Sequence, residues 1–82
     1  MERFTKREKD VLLLLIEGFN NHEISDILCI SNHTTKAHVA AIYRKLNVVN
    51  RVQATIACYF LCELNPEENK DFLKVYEKLK RF

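Results

Sequence analysis

Lys36, Arg44, Lys45 and Arg51 stand in a stretch that runs from Ile27 to Cys62 without a single Asp or Glu. The acids lie on either side, at Glu2, Glu8, Asp10, Glu17, Glu23 and Asp26 before it and Glu63, Glu67, Glu68, Asp71 and Glu77 after it. A surface that meets phosphates needs such a gap, because one carboxylate there would repel the ligand. Drift of composition in a short chain is the ordinary alternative. The net charge of +2 is a weak indicator of any partner; the distribution of the charges says more.

Other residue types that could do chemistry point nowhere. Cys29 and His33, and Cys58 and Cys62, have the i, i+4 spacing that zinc ligands use on one helical face. Cys29 precedes a turn, however, and Cys58 and Cys62 fall on a stripe shared with Ala54 and Leu61, where small buried thiols are the simpler reading. There is no Ser/His/acid grouping, no carboxylate pair and no glycine-rich phosphate loop. The expectation is a protein without enzymatic activity, cofactor or metal. Three cysteines without framework spacing suit a reducing cytosol, and the charged N-terminus shows no secretory signal. The longest apolar run, Val11 to Ile16, is far shorter than the about 18 residues of a membrane span.

At 82 residues, with one Gly and one Pro, the chain has room for one all-α domain with compact turns. Thr5 caps a first helix, with Glu8 as its capping-box partner, Val11, Leu12, Leu14 and Leu15 at helical spacing, and Gly18 as the stop. A second helix runs from about Asn21 to Leu28, with Ile24, Ile27 and Leu28 as its buried stripe. After a turn at Cys29 to Ser31, Ser31 caps a third helix over Asn32 to Leu46, closed by Asn47. Asn50 caps a fourth over Arg51 to Leu64. Pro66, Glu67 and Glu68 then open an amphipathic segment that ends in Lys78, Lys80 and Arg81, with Phe72, Val75, Tyr76, Leu79 and Phe82 on one face. The division is therefore a domain over 1–64 and a C-terminal helical extension over 65–82.

Two helices joined by a short turn, the second basic and free of acids, are the pattern of a helix-turn-helix. With Thr35, Val39, Ile42 and Leu46 inward, the third helix shows Asn32, His33, Lys36, Ala37, Ala40, Ala41 and Arg44 outward. A B-DNA major groove about 12 Å wide admits one such helix, and alanines let its backbone approach and touch thymine methyls. The positive helix N-terminus, with Thr34 beside it, suits a phosphate. A three-helix bundle with a solvated basic helix is the plainer reading of the same pattern.

Four segments carry a resemblance. Phe4-Thr-Lys-Arg-Glu-Lys-Asp-Val-Leu is similar to the "LTxREreVL" opening of the LuxR-type (GerE-like) DNA-binding domain. Gly18-Phe-Asn-Asn-His-Glu-Ile-Ser resembles its "GxsNkEIA", Ile30-Ser-Asn-His-Thr-Thr-Lys-Ala-His-Val its "iSxxTVKxHv", and Ile42-Tyr-Arg-Lys-Leu-Asn-Val-Val-Asn-Arg-Val-Gln-Ala its "IxxKLgvxnRxqA". They fall in order, at the family's spacing, over about Phe4 to Leu61. The resemblance implies a four-helix helix-turn-helix domain serving response regulators, quorum sensors and stand-alone bacterial regulators. It implies base contacts at Lys36, Ala37 and Ala40 and phosphate contacts at Asn21, Thr34, Lys45 and Arg51. It also implies dimerisation through the fourth helix, with Arg51, Ala54, Thr55, Cys58, Tyr59 and Cys62 as the expected partner surface.

The departures matter as well. The motif's buried valine is Thr35, whose hydroxyl must find a partner, a backbone carbonyl one turn back being the nearest. The polar position one turn beyond the lysine is Ala40, so base readout rests on Lys36, His33, Asn32 and methyl contacts. Leu13, polar in the motif's relatives, adds an apolar side chain expected to be exposed. The expected function is a cytoplasmic, sequence-specific DNA-binding transcription regulator acting as a homodimer on double-stranded DNA. It would be a stand-alone regulator or the effector domain of a response regulator, working with RNA polymerase or a missing receiver domain and not with a membrane. An adaptor or antagonist that pairs with a related regulator is the alternative from another class. A sigma-factor-like domain is the nearer one, disfavoured by the "TxRE" and "NRxQA" motifs.

Overall fold

The computed structural model describes residues 4–64, so the expected C-terminal helix lies outside the described residues. Within them the chain forms α1 (Lys6–Ile16), α2 (Asn21–Leu28), α3 (Asn32–Leu46) and α4 (Arg51–Leu64), with no strand among the described residues. The starts are set by caps. Thr5 and Glu8 form the expected capping box on α1, and Asn20 with Glu23 forms a second on α2. Ser31 Oγ accepts the Thr34 N–H at 3.0 Å to start α3, and Asn50 Oδ1 accepts the Gln53 N–H at 2.9 Å to start α4.

The first three helices end in the same way. Each is followed by a residue in the left-handed conformation: Gly18 at φ 101°, Cys29 at φ 56° and Asn47 at φ 57°. In each case two amides then fold back on the last turn. These are Phe19 N–H to the Leu14 carbonyl (3.1 Å) with Gly18 N–H to Leu15, Ile30 N–H to Ser25 (3.0 Å) with Cys29 N–H to Asp26, and Val48 N–H to Tyr43 (2.9 Å) with Asn47 N–H to Arg44. This is the Schellman closure, and Gly and Asn are the residues that adopt it readily. Cysteine is not one of them, and its Cβ makes the turn of the helix-turn-helix the strained closure of the three.

Val11, Leu12, Leu15 and Ile16 of α1, Ile24 of α2, Val39 and Ile42 of α3, and Ala54 and Cys58 of α4 make the core. Two expectations change here. Ile27 is half exposed, because α2 turns Ile24, Ser25 and Leu28 inward and carries Ile27 to the side, about 100° further round for each residue step. Leu13 is half-buried and packs against the core rather than standing exposed.

Replacing Cys29 with Gly removes the Cβ penalty of the left-handed turn and should stabilise the domain by about 0.5–1 kcal/mol. Urea unfolding of the variant beside the native protein reads this directly. An unchanged or lower midpoint would show that the turn holds no such strain.

Candidate nucleic-acid interface

α3 is held at both ends by polar bonds and between them by apolar contact. At its start the Thr35 hydroxyl is fully buried. It lies 3.2 Å from the Ser31 carbonyl, the partner one turn back that the sequence suggests, and 2.7 Å from Ser25 Oγ of α2. Ser25 Oγ in turn lies 2.8 Å from the Asn21 carbonyl. Two hydroxyl protons fill two of these three contacts at a time, and the Ser31 carbonyl also takes the Thr35 N–H at 3.0 Å, so it is not stranded when the Thr35 hydroxyl turns to Ser25. Ser25 stands where the resembled motif has alanine, and Thr35 where it has valine. The two departures compensate each other across the α2–α3 contact. Ser25 in place of alanine is the sequence signal that goes with Thr35 in place of valine.

At the other end of α3, Lys45 Nζ lies 2.6 Å from Glu8 Oε1 of α1, with the side chains 11% and 8% exposed. The same oxygen accepts the Thr5 N–H at 2.8 Å. Burial alone would raise the Glu8 pKa. The Lys45 bond, the Thr5 N–H and the Lys45 charge outweigh it and hold the carboxyl below its ordinary value. A depressed folded-state pKa means that this carboxylate stabilises the domain above its ordinary pKa, and that the contribution is lost as the pH falls through the lowered value.

This arrangement leaves a defined outer face. Asn32, His33, Lys36, Ala37, Ala40 and Arg44 are exposed, while Ala41 is half-buried and contributes less than its expected place suggests. The first turn of α3 carries no acid, unlike those of α1 with Glu8 and α2 with Glu23. Its positive end is therefore uncompensated, which favours an anion there. Ser31 Oγ donates to Thr34 Oγ1 at 2.9 Å, leaving the half-buried Thr34 its own proton to donate.

The remaining expected contacts are placed differently. Lys45 points inward to Glu8. Arg51, half-buried, donates through Nη2 to the Phe19 carbonyl and ties the start of α4 to the α1–α2 connection. Asn21 is half-buried at the first position of α2, with its carbonyl engaged by Ser25. On α4, Ala54 is 1% and Cys58 0% exposed, so they belong to the core and not to a partner surface. Small residues face inward there because α4 packs closely on the domain. The outward positions are the large apolar Val52, Ile56 and Phe60, which the sequence reading did not single out. Thr55 and Tyr59 are half-buried, and the Cys62 side chain lies outside those described.

A basic helix presented by a second helix and a tight turn, with its acid-free face outward, defines a helix-turn-helix domain of the kind found in DNA-binding transcription regulators. Residues 2–58 match the family model "Bacterial regulatory proteins, luxR family", and the chain belongs to that family. It is 50% identical over 52 residues to the nitrate/nitrite response regulator protein NarP of Escherichia coli, spanning 63% of this chain and 24% of that protein. It is 41% identical over 58 residues to the response regulator protein VraR of Staphylococcus aureus, covering 71% and 28%. With the HTH-type transcriptional regulator MalT of Vibrio campbellii the figures are 38% over 60 residues, 73% and 7%. The matched region thus spans less than a third of each of these relatives.

The Ser25–Thr35 pair can be tested by a double-mutant cycle. Ser25→Ala or Thr35→Val alone should cost about 1 kcal/mol, and the double substitution less than the sum, with coupling of about 1 kcal/mol. Strictly additive losses in urea unfolding would refute the compensation.

Proposed function

We propose that this domain reads duplex DNA with α3 in the major groove and regulates transcription as a dimer on a two-fold site. The observation that carries the reading is the outer face of α3, which sets Lys36 and Arg44 beside small residues and an unopposed helix N-terminus. Lys36, with Asn32 and His33, contacts base edges. Ala37 and Ala40 let the backbone close on thymine methyls. Thr34, Arg44 and the helix N-terminus take phosphates, and Asn21, at the first position of α2, adds another. One lysine and two polar side chains, Asn32 and His33, give modest discrimination, which a second copy doubles.

Support for the dimer comes from α4. Val52 is 68%, Ile56 50% and Phe60 61% exposed, at i, i+4 and i+8 on one helical face, and Val49 extends the patch at 78%. A second copy placed there by a two-fold axis would bury like against like. Its place in the cell is the cytoplasm, working with RNA polymerase, either alone or as the effector of a response regulator with a receiver domain. The same apolar face supports the competing reading, an adaptor that pairs with a related regulator and binds no DNA.

Binding to random duplex at low and moderate salt separates these. The native protein should bind at low salt and weaken as salt rises, and on a duplex it selects from a random pool Lys36→Ala should cost about 1–3 kcal/mol. No binding at low salt would leave the adaptor. For the dimer, sedimentation on a duplex selected from a random pool should show two copies of the native protein. Ile56→Glu should leave a folded monomer that binds singly. One native copy per duplex at saturation would rule out the α4 contact.

A further inference from the structure

Apolar contact holds a helix against its neighbours but is non-directional, so packing alone sets the roll about the helix axis less sharply than packing and polar bonds together. Hydrogen bonds and ion pairs are directional. A roll of about 15° moves a side-chain tip at ~6 Å radius by about 1.5 Å, half the length of a base contact. The polar bond in the last turn of α3 therefore bears on where Lys36 is aimed.

The Glu8 carboxylate is itself fixed. It closes the capping box of α1, with its Oε1 on the Thr5 N–H and its own N–H on Thr5 Oγ1 at 3.1 Å. Lys45 is drawn to that same oxygen with both side chains nearly covered, so water and salt screen the pair far less than a surface pair. Core contacts of Val39 and Ile42 lie between this tie and the Thr35 hydroxyl.

We infer that Glu8 is a positioning residue for DNA recognition: by holding Lys45 inward it sets the roll of α3, and Lys45 touches no phosphate. The inference rests on the DNA-binding reading above and departs from the phosphate role that the family resemblance implies for Lys45. Phosphate contacts made by flexible cations tolerate a small roll, whereas base contacts do not. Loss of the tie should therefore lower discrimination and leave general affinity alone.

The test is the double variant Glu8→Gln/Lys45→Met. Gln retains the capping-box acceptor, Met retains most of the aliphatic stem, and no buried charge is left unpaired. The probes are a duplex pool enriched by the native protein from random sequence and the unselected pool, titrated well below the unfolding transition. The selected-to-random affinity ratio should fall roughly tenfold, about one base contact, while random-duplex affinity and its salt slope stay as in the native protein. Arg44→Ala, the contrast, should reduce the slope by about 0.9. Glu8→Gln alone keeps the box but releases the ammonium, and should tighten random-duplex binding and steepen its salt dependence. A slope reduced by about 0.9 in the double variant would make Lys45 a phosphate ligand and overturn the inference. A ratio unchanged in the double variant, with Glu8→Gln indistinguishable from native, would overturn it too. Failure of the native protein to bind random duplex at all would instead remove the reading of α3 on which this rests.

Discussion

The contact between Lys45 Nζ and Glu8 Oε1 joins the last turn of α3 to the first turn of α1, thirty-seven positions apart in the chain. No other ion pair between different helices occurs among the described residues. Its carboxylate also holds the start of α1, so one side chain serves a helix cap and a tertiary tie. The apolar core supplies most of the favourable free energy, but it does so without direction. The outer face of α3 exists because its other face is fully committed, to Ser25, to the α1 core and to Glu8.

Much of this was legible along the chain because it is local. Caps at Thr5, Ser31 and Asn50 and stops at Gly18 and Asn47 depend on side chains within a few residues of the backbone groups they satisfy. Cys29 was not legible as a left-handed residue, since cysteine has no chemistry that favours that conformation. The sequence alone puts Ile27 in the core because a short helix offers too few apolar positions to choose between adjacent faces. The buried hydroxyl of Ser25 decided that choice.

The site was legible in composition and less so in direction. An acid-free stretch shows where positive charge collects but not which way each cation turns. Lys36 and Arg44 point out; Lys45 and Arg51 are engaged within the domain. On α4 the usual rule, large apolar residues inside and small ones anywhere, inverts. Ala54 and Cys58 face the core because the helix packs closely, and Val52, Ile56 and Phe60 are left outside. Distances between helices are set by the whole fold, so no window of sequence contains them.

The inward turn of Lys45 and Arg51 has a kinetic side. The time a regulator spends on each wrong stretch of a chromosome grows steeply with the number of phosphates it neutralises. A domain that pairs one cation with its own carboxylate and turns another inward onto a carbonyl would leave such stretches sooner and sample more of them per unit time. On the function proposed above, its residence at the right place would come from base contacts and from a second copy bound beside it. On that function, the cations that stiffen the fold would be the ones withheld from the search along DNA.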